Sequence, residues 1–128
     1  MAGLTLHAVG PARPEAVWER YACLDQWASW SPQIRAVHAD LRHLAPGLGG
    51  AVESVAGLRA AFRVGAVDQD RRYWTWRVRL GPLRVTLRHD VRAHPRGSRA
   101  GLTLRGPLPV LVAYAPLARL ALRRLVRP

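Results

Sequence analysis

Lysine is absent from this chain: all twenty basic side chains are arginine, against eight acids, for a formal net charge of +12 over 128 residues. So complete a bias is read here mainly as the imprint of a GC-rich coding sequence, although a basic surface also attracts nucleic acid, acidic lipid or an acidic protein. Cysteine is almost absent too. With Cys23 alone no internal disulfide forms, and a reducing, cytoplasmic setting is expected. No basic segment followed by an apolar run opens the chain, so no signal peptide is expected. The longest apolar stretch, Leu108 to Ala118, is interrupted by Pro109 and Pro116 and falls short of the roughly 20 residues that span a bilayer, so no transmembrane segment is expected.

Several kinds of chemistry are missing their residues. His38 and His43 match no usual ligand spacing, and Cys23 adds nothing to them, so neither a metal nor a cofactor is expected. Gly47, Gly49 and Gly50 lead into a strand instead of opening a helix, which removes the phosphate-loop reading. Neither Ser54 nor Ser98 stands in a strand-to-helix elbow, as a serine nucleophile would.

The chain does contain five tryptophans. Trp18, Trp27 and Trp30 precede Ser31-Pro32, while Trp74 and Trp76 share one alternating segment. That much flat surface either fills a core or lines a hollow. A void of about 300 Å³, the low end for a ligand pocket, would cost about 7 kcal/mol at roughly 24 cal/mol per Å³. Whole domains are stable by about 5 to 15 kcal/mol, so a hollow of that size needs a function to keep it. The 49% hydrophobic content predicts a folded globule, and the length predicts one domain over residues 1–128.

Leu4 to Val9 alternates weakly and reads as a first strand, broken by Gly10, Pro11 and Pro14. Val17, Tyr21 and Leu24 recur at helical spacing, which predicts a short helix over residues 14–23. Asp25 is placed to cap a second short helix carrying Trp27 and Trp30, and Ser31-Pro32 ends it. From Ile34 to Arg105 the chain reads as a meander of strands. Its turns fall at Pro46-Gly47 with Gly49-Gly50, at Ala56-Gly57, at Asp68 to Arg71, at Gly81-Pro82 and at Pro95 to Gly97. Trp74, Trp76, Val78 and Leu80 share one face, and so do Leu83, Val85, Leu87, His89 and Val91; the arginines between them take the wet side. After Pro107 the pattern is helical again, with Leu111, Tyr114, Ala118, Ala121, Leu122 and Leu125 in one apolar arc.

One strand, two short helices, five or six antiparallel strands and a long terminal amphipathic helix is the order of the α+β helix-grip fold, START-like or Bet v 1-like. Val17-Trp18-Glu19, Trp27-Ala28-Ser29-Trp30-Ser31-Pro32, Pro46-Gly47, Trp74-Thr75-Trp76-Arg77-Val78 and His89 sharpen the match. Through them the chain resembles the actinobacterial polyketide cyclase/dehydrase-like branch of the START-like (SRPBCC) superfamily. The resemblance implies a curved antiparallel sheet around the C-terminal helix, with a hydrophobic or polycyclic ligand between them. Among members of that superfamily some cyclise or dehydrate polyketide chains, some bind lipids or hormones, and many have no assigned activity. Members often run longer than Pro128, so a short final helix and a more open pocket mouth are expected.

Two side chains are candidates for general acid/base chemistry. His89 interrupts an apolar inward face and titrates near neutral pH when unperturbed. Glu53 depends on register. A two- or four-residue turn at Ala56-Gly57 sets it opposite Ala60 on the face of Phe62 and Val64, where desolvation raises its pKa; a three-residue loop turns it to solvent. Trp27, Trp30, Phe62, Trp74, Trp76 and Tyr114 are the expected ligand-binding walls. The outward arginines have no aromatics interleaved with them, so no specific nucleic-acid partner is expected. The partner is instead a small hydrophobic molecule, either transformed by Glu53 or His89 or simply carried.

Overall fold

Element boundaries follow the proline punctuation of the sequence. In the computed structural model, which describes residues 2–128, β1 (Ala2–Gly10) stops before Pro11. Helix α1 (Pro14–Ala22) begins on Pro14, at a position where a helix has no use for an N–H. A 3-10 turn (Leu24–Gln26) runs directly into α2 (Trp27–Trp30), which ends at Ser31 in extended backbone. Asp25 does not cap α2 as expected. It lies within the 3-10 turn, and its carboxylate accepts hydrogen bonds of 2.5 and 2.9 Å from the Arg42 guanidinium. A charge-assisted pair outcompetes a lone backbone N–H.

Six strands follow as a meander: β2 (Ile34–Ala39), β3 (Gly49–Ser54), β4 (Arg59–Asp68), β5 (Tyr73–Leu80), β6 (Leu83–His94) and β7 (Gly97–Gly106). With β1 beside β7 they make one seven-stranded antiparallel sheet, ordered β1-β7-β6-β5-β4-β3-β2. Gly49 and Gly50, read from the sequence as part of a turn, belong to β3. A Cβ on Gly50 would strike the Phe62 ring and the His38 carbonyl, so glycine is there for close packing.

The alternation of apolar and basic residues sorts the two faces. Trp74, Trp76 and Val78 on β5 and Val85, Leu87 and His89 on β6 point inward, while Arg77, Arg79, Arg84 and Arg88 are exposed on the outer face. Tyr73 faces outward as well, and the Arg88 guanidinium lies 4.1 Å above its ring centroid.

Helix α3 (Leu108–Leu125) crosses the inner face against β1 and β7, burying Leu111, Ala118, Ala121, Leu122 and Leu125. The result is the α+β helix-grip arrangement, a curved sheet around a long C-terminal helix with two short helices after the first strand. The two ends of α3 are held differently. At its C-terminal end Ala12 donates its N–H to the Val126 carbonyl at 3.0 Å, and the Arg20 guanidinium donates to the carbonyls of Leu125 and Arg127 at 2.5 and 2.7 Å. A cation there also favours the negative end of the helix dipole. Nearer the N-terminal end Pro116 has no N–H to offer the Val112 carbonyl, and Leu108, Val112 and Leu117 are exposed.

Candidate functional site

The inward side chains of three strands end on small residues at the same end of the sheet. They run Val64, Phe62, Ala60 along β4, then Trp74, Trp76, Val78 along β5, and His89, Leu87, Val85 along β6. The large rings meet one another at one end. At the other, small side chains leave the space under α3 unfilled.

At the filled end Trp27 and Trp30 join Trp74 and Trp76 in a single block. Trp27 stands among Trp30, Phe62, Trp74 and Trp76 at centroid distances of 5.1 to 6.5 Å. Tyr21 closes the other side, 5.2 to 5.5 Å from Trp30, Trp74 and His89. The indole N–H groups of Trp27 and Trp30 donate to the carbonyls of Tyr21 and Arg20 at 2.8 and 2.9 Å, which fastens α2 to α1. Trp27, Trp74 and Tyr21 have no exposed surface. Ring pairs of this kind contribute about 0.5 to 1.5 kcal/mol each beyond simple burial, so the block anchors the fold.

His89 belongs to the block. Its ring stacks on Trp74, and burial pushes its pKa down to about 3, so the imidazole is neutral at pH 7. Its Nδ1 has no hydrogen-bond partner within the described residues. The next cross-strand pair, Trp76 and Leu87, stands between it and the open space.

That space is a cavity of about 270 Å³, walled by Val52, Ala60, Val78 and Val85 from the sheet and by Leu111 and Tyr114 from α3, with Trp76 and Leu87 toward the aromatic block. Its lining is almost entirely carbon. Gln33, Ser54 and Tyr114 are the polar residues in the wall. The Gln33 side-chain amide donates to the Tyr114 hydroxyl at 2.9 Å, and its Oε1 is buried without a partner among the described residues. Burial raises the Tyr114 pKa, which keeps the phenol protonated and neutral. Ser54 is already engaged, its Oγ accepting from the N–H groups of Ala56 and Leu58 at 3.2 and 3.1 Å. The mouth opens between the β3–β4 turn, the β5–β6 turn and the start of α3, where Leu58, Leu80, Leu83 and Val110 stand. A short chain end near Pro128 therefore does not widen it: that end of α3 packs beside Ala12, at the opposite end of the sheet.

Glu53 lies outside this cavity. The β3–β4 loop has three residues, Val55-Ala56-Gly57, closed by the Ser54 N–H donating to the Leu58 carbonyl at 2.8 Å, so Glu53 pairs with Arg59 and Val52 with Ala60. This register sends the Glu53 carboxylate to the outer face. Arg35 donates to it there, Arg59 approaches at 3.3 Å, and His38 Nε2 sits 3.1 Å away. The side chain is only 10% exposed, but its cover is thin: Arg35 and Arg59 are themselves more than 60% exposed. Hydrogen bonds from His38 and Arg35 outweigh desolvation and lower its pKa, the reverse of the raised value that an inward carboxylate would have.

Of the expected ligand-binding residues, the cavity wall brings together Trp76 and Tyr114. Trp27, Trp30, Phe62 and Trp74 lie in the adjoining block. Gln33, Val52, Ala60, Val78 and Val85 were not singled out from the sequence. The small inward residues at one end of β4, β5 and β6 were a usable signal for the last three of these; Gln33, just after Ser31-Pro32, had none. Among the described residues no three His, Cys, Asp or Glu side chains gather as metal ligands.

An apolar hollow between a wrapped antiparallel sheet and a C-terminal helix defines the helix-grip class of proteins. Within it, the chain belongs to the polyketide cyclase / dehydrase and lipid transport family, whose model matches residues 1–128. Solved structures share the fold at low identity. Protein CV1439 from Chromobacterium violaceum is 16% identical with a TM-score of 0.76, over 98% of this chain and 96% of that one. Ara h 8.0201 is 13% identical with a TM-score of 0.79, over 97% and 94%. Hypothetical protein jhp0584 from Helicobacter pylori is 14% identical with a TM-score of 0.82, over 98% and 86%. No curated protein matches the chain.

Proposed function

We propose that this protein holds one small hydrophobic molecule between the sheet and α3 and carries or senses it without turning it over. The observation that carries the reading is the cavity itself: about 270 Å³ of nearly all-carbon wall around a single Gln33–Tyr114 polar pair. That volume is near the small end for ligand pockets, about 300 to 1,000 Å³. The polar pair then fixes orientation by binding one oxygen or nitrogen of the ligand.

The absence of turnover rests on placement. Glu53 is on the outer face, and His89 is sealed behind Trp76 and Leu87 with too low a pKa to be an effective base at neutral pH. Cyclisation or dehydration is the second reading. It is favoured by the Tyr114 phenol, which is neutral and able to hydrogen-bond a ligand carbonyl, and opposed by the raised pKa, which resists proton transfer. A cytoplasmic setting belongs to the proposal on the strength of the single Cys23.

Titration with the neutral probe N-phenyl-1-naphthylamine tests the cavity. Saturable one-to-one binding at or below about 100 μM, read from quenched tryptophan emission, is expected. No saturation in that range sinks the reading. Linear poly-β-ketone thioester analogues are expected to give the same products at the same rate with and without the protein, and a protein-dependent cyclised product would restore the enzymatic reading.

A further inference from the structure

The cavity mouth is ringed by apolar side chains that face water. Val55 and Leu58 lie at the β3–β4 turn, Leu80 and Leu83 flank the β5–β6 turn, and Leu108 and Val112 open α3, all between 41% and 65% exposed. Among the described residues these are six of the ten exposed large hydrophobics, so the exposure is concentrated at one end of the molecule. Exposed apolar groups gathered in this way mark an interaction surface.

The charge around the ring is mainly basic, and its nearest carboxylate, Glu53, is already engaged by Arg35 and Arg59 on the outer face. The segments 54–60, 79–84 and 105–112 contain Arg59, Arg79, Arg84 and Arg105 and no acidic residue. Arg79 and Arg84 are direct cross-strand partners, a like-charge pairing that weakens a sheet, and no acidic side chain pairs with either among the described residues. The acidic turn with Asp68 and Asp70 lies at the far end of β5. The arrangement complements a partner that is negative where the arginines reach and apolar just beyond.

We propose that the mouth docks on an anionic lipid bilayer, with the six rim side chains among the acyl chains and Arg79, Arg84 and Arg105 at the headgroup phosphates. The rim is carried on three separate segments around an opening and offers no continuous groove, so a fluid hydrocarbon layer conforms to it where a folded protein surface would need a matching knob. Leu58, Leu80 and Leu83 belong to both the rim and the cavity wall, which gives an apolar molecule a path from bilayer to cavity without crossing water. Arginine also suits this depth, its stem lying along apolar surface while its head stays at the interface. The inference rests on the ligand-binding reading for its purpose. Docking itself needs no ligand, so the vesicle assay and the probe titration fail independently.

Co-flotation with phosphatidylcholine vesicles, with and without about 30 mol % phosphatidylglycerol, tests the docking. Binding at least about tenfold tighter to the anionic vesicles is expected, weakening as salt rises. Leu80→Asp/Leu83→Asp and, separately, Leu108→Asp/Val112→Asp are each expected to weaken it by about tenfold or more. The second pair sits on the exposed first turns of α3 and keeps the test decisive if the first perturbs folding. Arg79→Gln/Arg84→Gln is expected to act similarly, while the charge-matched Arg92→Gln/Arg99→Gln, at the other end of the sheet, is expected to change affinity less than about twofold. Failure to float with anionic vesicles overturns the proposal, as does wild-type binding by both Asp pairs. Equally tight binding to duplex DNA that ignores the Asp substitutions would reassign the arginines to general polyanion attraction and overturn it too.

Discussion

Trp74 and His89 are cross-strand partners on β5 and β6 whose rings lie face to face, centroids 4.1 Å apart and planes 6° from parallel. The contact suits a neutral imidazole, because the positive form would have to exist without water. Folded His89 has a pKa near 3, against 6.5 for the unperturbed group. Between those values the unfolded chain binds a proton that the native state refuses, so stability falls as pH drops.

At up to about 1.36 kcal/mol per unit, lowering the pH from 6.5 to 5 removes about 1.6 kcal/mol through this one residue. Urea unfolding across that range measures it before most carboxylates titrate. His89→Phe keeps a ring on Trp74 and is expected to flatten the dependence. An unchanged slope in the variant would refute the assignment.

Glu53→Gln separates the outer carboxylate from the cavity. The native pKa is depressed, so the carboxylate contributes stability above its unfolded value of 4.5 and loses it as pH falls through the lower folded one. The variant is expected to show less of that acid-limb dependence and to bind the hydrophobic probe within about twofold of wild type, since the carboxylate lies on the other face. A tenfold loss of probe affinity would contradict this placement.

Trp76 is the one tryptophan in the cavity wall. Trp76→Ala is expected to weaken probe binding by about tenfold or more, while Trp18→Ala, away from the cavity, changes it less than about twofold. Unchanged affinity in Trp76→Ala would mean that the probe sits elsewhere.

Filling the hollow exchanges binding for stability. Val85→Phe adds a ring toward the cavity, and a partial fill is expected to raise stability by about 1 kcal/mol, against a ceiling near 24 cal/mol per Å³ filled. Probe affinity is expected to fall at least about tenfold in the same variant, as the pocket drops well below ligand size. Thermal denaturation and titration together check both halves. A destabilised protein with intact affinity would show that Val85 points elsewhere.

The fold was legible because its signals are local and repeated. Proline and glycine placed most of the turns, period-two alternation separated Trp74 from Thr75 and His89 from Arg88, and the apolar arc from Leu111 to Leu125 drew α3. The site was less legible, because it depends on distances between strands that a single chain does not state. One residue of loop length decided the side on which Glu53 emerged. His89 was placed on the correct face. Its separation from the cavity depends on Trp76 and Leu87 closing across it, a contact between two strands. The Gln33–Tyr114 bond joins residues 81 positions apart and leaves no trace in either neighbourhood.

The division of the interior into a packed aromatic end and an aliphatic end has an evolutionary corollary. Substitutions among Ala60, Val78 and Val85 reshape the hollow without touching the rings that hold the molecule together. On the proposed ligand-holding reading, selectivity and foldability are therefore set by different residues, and a change of cargo needs no change of scaffold.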